Sequence, residues 1–212
     1  MTFTKFKLLA PAAALGLTLI VAGCGSSMND DHDMGSMSSP SSSTSSSSPA
    51  ASATPAAGPH NDADVMFASM MIPHHNQAIE MSDMLLAKSD VDPKVTALAQ
   101  KIKGAQGPEV AQMTGWLTGW GVNPSMGGMG GMDHGSGDGM MSQADMDALK
   151  NANGAEATKL FLDGMIKHHT GAIAMAETEL KQGSNPDAKK LAQAIIDAQR
   201  AEITEMKQLG GS

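Results

Sequence analysis

The stretch Met71-Ile72-Pro73-His74-His75-Asn76-Gln77-Ala78-Ile79 is answered further along the chain by Met165-Ile166-Lys167-His168-His169-Thr170-Gly171-Ala172-Ile173. The match extends outward at a constant offset: Phe67 pairs with Phe161, Met81 with Met175 and the acidic Asp83 with Glu177. An internal repeat of this kind decides the architecture before any single element does, because each copy is one unit that buries its apolar face against the other. Downstream, Leu98, Ala99, Gln100, Ile102, Gln106, Glu109 and Met113 correspond to Leu191, Ala192, Gln193, Ile195, Gln199, Glu202 and Met206. The duplicated unit is therefore longer than one helix.

Helix signals frame each copy. Asn61 or Asp62 can cap a first helix that continues to Ala87, with Phe67, Met71, Ala78 and Leu85 at helical spacing. Asp92-Pro93 and Asn185-Pro186 read as an N-cap followed by proline at the first helical position. Each repeat is thus helix, short turn, helix, and two such hairpins predict an all-α four-helix bundle of helices ~37 Å long at 1.5 Å per residue. Repeat one spans about residues 61–120 and repeat two about 142–209, with a Gly/Met-rich loop over 121–141. Ser142 and Asp145 resemble a capping box for a short helix ending near Asn151, and Gly154 breaks the chain before the next long helix. Gly104, Gly107 and Pro108 predict a kink in the second helix that its counterpart lacks.

The chain begins with Lys5 and Lys7, an apolar run from Leu8 to Ala22, and then Gly23-Cys24. This predicts a signal peptide over residues 1–23 with a lipobox-like end, so that Cys24, the single cysteine, would carry lipid and anchor an exported bacterial lipoprotein at the cell envelope. Residues 24–60 are rich in Ser, Ala and Pro and read as a disordered tether ahead of a folded domain over 61–212. Loss of Lys5 and Lys7 would move the formal charge from −8 to −10, which argues against a nucleic-acid partner.

With 100° per residue, Phe67, His74, Ala78 and Met81 lie within about 80° of Met71 on one side, whereas His75 falls about 40° to the other. One histidine of each pair is therefore expected inside and the other at the rim. Thioether and imidazole together suit copper, Cu(I) above all, with Ag(I) as its mimic and Cu(II) accepted by imidazole. Met71 with His74 or His75 can converge on one ion, with a third ligand from Met81 or from Glu109 and Met113 on the next helix; Glu202 and Met206 offer the same in the second half. Met126, Met129, Met132 and His134 of the loop form a further soft cluster. Imidazole must be neutral to ligate, which predicts metal release near pH ~6.5. Against these readings stands plain packing, the default for a methionine stripe; Met66, Met84 and Met146 are assigned to core filling, and Trp116 and Trp120 to packing.

The sequence contains no Glu-x-x-His, which argues against a di-iron carboxylate bundle, and no His-Glu-x-x-His or phosphate loop. The leading expectation is a non-enzymatic copper protein that sequesters the ion or passes it to a partner protein. The alternatives are a structural or interaction bundle with a polar-lined core, and a cuprous oxidase.

The chain resembles the family known as domain of unknown function 305, marked by Met-Ile-x-His-His followed by Ala-Ile-x-Met. Both blocks match, Met71 to Met81 and Met165 to Met175, and so do the Glu-x-x-x-Met pieces Glu109 to Met113 and Glu202 to Met206. The resemblance implies a ferritin-like four-helix bundle, and relatives that bind copper in the periplasm and contribute to copper resistance. It also implies Met71, His74, His75, Met81, Met165, His168, His169 and Met175 as binding positions. Asn76-Gln77 departs from the glycine-containing step seen at Thr170-Gly171.

Overall fold

The computed structural model describes residues 58–124 and 139–212. The signal segment, Cys24, the tether as far as residue 57, and Met126, Met129, Met132 and His134 lie outside the described residues. Five helices follow in order: α1 (Asp62–Leu86), α2 (Pro93–Gly119), α3 (Gln143–Asn151), α4 (Gly154–Gln182) and α5 (Pro186–Gln208). Among the described residues there is no strand.

The expected caps form. The Asn61 side chain accepts the Ala63 and Asp64 N–H groups while the Asp64 carboxylate accepts the Asn61 N–H. Asp92 caps α2, Asn185 caps α5, and Ser142 with Asp145 closes a capping box on α3. Each satisfies donors that the helix itself leaves unpaired, a contribution of ~1 kcal/mol apiece. Gly154 starts α4 at φ +51, where a side chain would be strained.

α2 is one continuous helix through Gly104, Gly107 and Pro108. Pro108 and Gly104 are exposed, so the carbonyl that proline leaves without an intrahelical donor faces water, which satisfies it. Pro73 is likewise accommodated inside α1.

Packing makes α1 and α4 the central pair. α1 lies against α2, α4 against α5, and the two hairpins meet chiefly through α1 and α4, with the short α3 laid against both. Two apolar clusters result. One gathers Met81, Leu85, Leu98, Phe161, Met165 and Met206; the other gathers Phe67, Met71, Met113, Leu117, Ala172 and Ile195. The residues between them along all four long helices are polar and buried: His74 and His75, Gln106, His168 and His169, and Gln199 and Glu202. The bundle therefore has a polar waist between two greasy halves. Met146 is core and Met84 packs partly against it, but Met66 stands 62% exposed and is no core filler.

One further tie joins the hairpins. Buried Asp64 accepts hydrogen bonds from the Ser184 N–H and hydroxyl and from the Asn185 N–H, clamping the start of α1 to the α4–α5 turn. Burial pushes the Asp64 carboxyl up, but the backbone donors of Asn185 and Asn61, with Glu179 and Ser184, outweigh it and hold Asp64 below its ordinary value. Nearby Glu179 is pushed up to about 7, first by burial and then by the adjacent Asp64 carboxylate, against a smaller pull from Lys189. A carboxyl raised on folding from its ordinary 4.5 contributes stability at pH below that value and loses it as pH rises through about 7. Glu179→Gln removes this titration. Thermal melts from pH 4 to 8 should show the wild-type melting temperature declining relative to that of the variant as pH rises, with the gap levelling off above about 7.

Candidate metal centre

All four histidines of the repeated blocks are buried, 1% exposed or less. The expected division into one interior and one rim histidine does not hold. α1 is covered by α2 on one side and α4 on the other, so its buried arc takes in both directions, and α4 is covered in the same way by α5 and α1. His74 and His168 point at each other across the α1–α4 crossing, ring centroids 3.7 Å apart at 41°. His75 and His169 turn outward into their own hairpins.

There each finds a carboxylate. His75 Nε2 lies 2.8 Å from Glu109 Oε2, and His169 Nε2 lies 2.9 Å from Glu202 Oε2. With Nε2–H donating to the carboxylate, a neutral ring leaves its Nδ1 lone pair free, and Nδ1 of both His75 and His169 is buried without a hydrogen-bond partner. A carboxylate that fixes the tautomer of an imidazole and raises its basicity is the usual outer partner of a metal-binding histidine. Glu109 and Glu202 are thus placed to orient the histidines.

The methionines follow the fold rather than the repeat. Met71 and His75 are four apart on α1, Glu109 and Met113 four apart on α2, and the His75–Glu109 contact brings the two pairs together. Met165, His169, Glu202 and Met206 make the same quartet between α4 and α5. Met81 does not join its own block. It is ten residues from Met71, ~15 Å along a helix, and packs instead in the cluster of Met165 and Met206. Met175 correspondingly packs against the cluster of Met71 and Met113. The antiparallel crossing therefore exchanges the last methionine of each block between halves.

Among the described residues no three His, Cys, Asp or Glu side chains form a metal-holding group, so a site here draws on thioether sulfur. Burial, then the neighbouring His74, His169 and His75, holds the His168 imidazole well below its ordinary value. His169 is also lowered, by burial first, with Glu202 opposing.

Sequence reasoning missed three participants. Gln106 and Gln199, equivalent in the repeat, are buried in the waist with amide atoms lacking partners; their matched positions were visible, their burial was not. Gln77, at the departure from the repeat, clamps the chain end leaving the loop: its Nε2 donates to the Met141 carbonyl at 2.9 Å and its Oε1 accepts the Met141 N–H at 2.8 Å. The equivalent Gly171 lets Gly139 approach the α4 backbone. The two departures are two halves of one anchor. Trp116 and Trp120 stack at 6.1 Å, and His60 stacks on Trp120 at 4.6 Å, closing one end of the bundle.

The sequence profile of the family described as domain of unknown function DUF305 matches residues 64–210. The chain belongs to the DUF305 family. A crystallised DUF305 fragment from Deinococcus radiodurans is 32% identical, with 72% of this chain and 97% of that one covered and a TM-score of 0.64. CopM in its Cu(II)-bound form is 36% identical over 69% of this chain and 94% of that one, TM-score 0.60; CopM has also been solved with Cu(I) and with Ag bound. A shorter similarity, 41% over 51 residues, joins this DUF305 chain to the uncharacterized protein L153 of Acanthamoeba polyphaga mimivirus, spanning 24% of this chain and 34% of that protein.

The lowered histidines would move release of an ion held through them to pH below the ordinary histidine value. His168 and His169 keep the neutral, ligating form to pH below the ordinary 6.5. Because both are depressed on folding, the stability tied to their neutral form is present above 6.5 and is lost as pH falls further. Imidazole carbon and nitrogen shifts followed by NMR should show neither ring titrating between pH 8 and 6.5; a midpoint of 6.5 or above for His168 would contradict the buried waist.

Proposed function

We propose that this DUF305 protein binds copper outside the cytoplasm, holding it or handing it to a partner protein, without catalytic turnover. The observation that carries the reading is the buried pair of carboxylate-oriented imidazoles, His75 and His169, each with Nδ1 unpartnered and each in a quartet with two methionines. Those donors fit a soft or borderline ion: His75 with Met71 and Met113 would hold one, His169 with Met165 and Met206 another, while His74 and His168 line the crossing between them. Cu(I) is the favoured cargo because thioether dominates, and imidazole extends the range to Cu(II). Similarity to CopM, solved with Cu(II), Cu(I) and Ag bound, supports the same reading.

Equilibrium dialysis of the chain against Cu(I), Ag(I), Zn(II) and Ni(II) tests it. Retention of Cu(I) and Ag(I) well above Zn(II) and Ni(II) is expected, and Glu202→Gln should weaken Cu(I) roughly 10- to 100-fold as the outer partner of His169 is lost. A chain that retains no copper ends the proposal. The close His74–His168 ring contact favours a second reading, a polar waist serving only the fold; on that reading His75→Ala with His169→Ala melts early and no variant changes copper retention. Catalysis is separated by oxygen uptake: Cu(I) held by the chain should consume oxygen no faster than Cu(I) on a chelator.

The proposal extends to the cell envelope. Cleavage before Cys24 and its acylation would tether the domain to a membrane, and no helix among the described residues is long and apolar enough to cross one. Met126, Met129, Met132 and His134 would offer a first soft landing for the ion. In a bacterial host, Cys24→Ser should move the protein from the membrane fraction to the soluble extracytoplasmic fraction.

A further inference from the structure

The groove between α1 and α4 has two ends, related by the repeat, and each holds a methionine that belongs to neither block. At one end the chain leaving the loop crosses the groove. Gly139, at φ +76, sits so close to α4 that a side chain there would meet the Lys167 carbonyl. Two residues on, Gln77 grips the Met141 backbone through both amide atoms. The Met141 side chain then enters beside α4 at Gly164: a Cβ at Gly164 would lie 2.6 Å from Met141 Sδ and 3.3 Å from Met81 Cε. The absent side chain at Gly164 is what lets the Met141 sulfur reach the buried Met81.

Position 164 in the second repeat corresponds to position 70 in the first, where the residue is Met70. Met70 lines a cavity of about 440 Å³ at the other end of the groove, together with Met66, Phe67 and Met175, the counterpart of Met81. So one end has Met175 beside a methionine from α1 itself. The other has Met81 beside a methionine brought in by the crossing segment, at a position where the helix gives up its own side chain.

We infer that Met141 is a soft-metal ligand, acting with Met81 at one end of the groove as Met70 acts with Met175 at the other. The cargo is Cu(I) or Ag(I), because two uncharged thioethers hold neither hard divalent ions nor protons. This rests on the copper reading above but adds ligands outside the His-His blocks. A plug serving packing alone has no need of sulfur, since leucine fills nearly the same volume. Met141 also ends the Gly/Met-rich segment, so an ion accepted there passes to Met81 and then to the Met165 cluster with which Met81 packs.

The test is an Ag(I) titration of the full chain carrying ¹³C-methyl methionine, read by NMR. Met141 and Met81 methyls should shift together. Met141→Leu should weaken the response of Met81 by at least the roughly tenfold seen on losing an outer-shell partner, and leave that of Met175 unchanged. Gln77→Ala, which keeps the sulfur but releases the crossing segment, should weaken Met81 in the same direction. Shifts at Met71 and Met165 with Met141 stationary, or a Met141→Leu chain that titrates like wild type, would overturn this inference and leave the copper reading standing. An unfolded Met141→Leu is recognised by collapsed methyl dispersion, and the stationary or moving Met141 methyl of the wild type then decides. No shift at any methionine overturns both.

Discussion

Everything in this bundle turns on the antiparallel crossing of α1 and α4 at His74 and His168. Two imidazoles in close, tilted contact at the centre of a helical core bring a desolvation cost that leucine would not, and they lie between two separate apolar clusters. The crossing also sets the register of the two hairpins. It sends Met81 and Met175 into each other's halves and turns His75 and His169 toward Glu109 and Glu202. A bundle joined through leucines at that level would be free of this constraint and would have no polar waist.

The sequence revealed the helices almost completely because their ends are chemically marked. Asn61, Asp92, Ser142 and Asn185 are capping residues in the ordinary sense, and the structure uses all four. The repeat identified the hairpins and their pairing. Pro108 sits inside α2 without ending it, since the carbonyl it leaves unpaired belongs to exposed Gly104 and faces water. The membership of the DUF305 family, read from the His-His blocks, extends over nearly all of the described domain.

The site was legible one helix at a time and not across helices. A single helical wheel placed Met71 and His74 in the interior, where both are buried, yet it placed His75 at the rim because it had no knowledge of a second covering helix. It grouped Met81 with Met71 for the same reason, an angular neighbour being mistaken for an axial one. Glu109 and Glu202 were found by their spacing to Met113 and Met206, but their work as partners of histidine becomes visible only when α2 and α5 are in place. Gln77 looked like a flaw in the repeat and is a clamp.

The two quartets are built from one cassette but are not equals. Glu202 is 5% exposed and has Lys101 of α2 at 3.7 Å, whereas Glu109 is 21% exposed and pairs with no lysine among the described residues. Lysine draws charge from the carboxylate that orients His169, while water does the same more weakly for the one that orients His75. On the copper reading, duplication followed by this divergence spreads uptake over a span of ion activity: one half fills while the other still answers to scarcity. Two equal, independent sites would fill together around one concentration; on the same reading, two unequal ones would fill in stages.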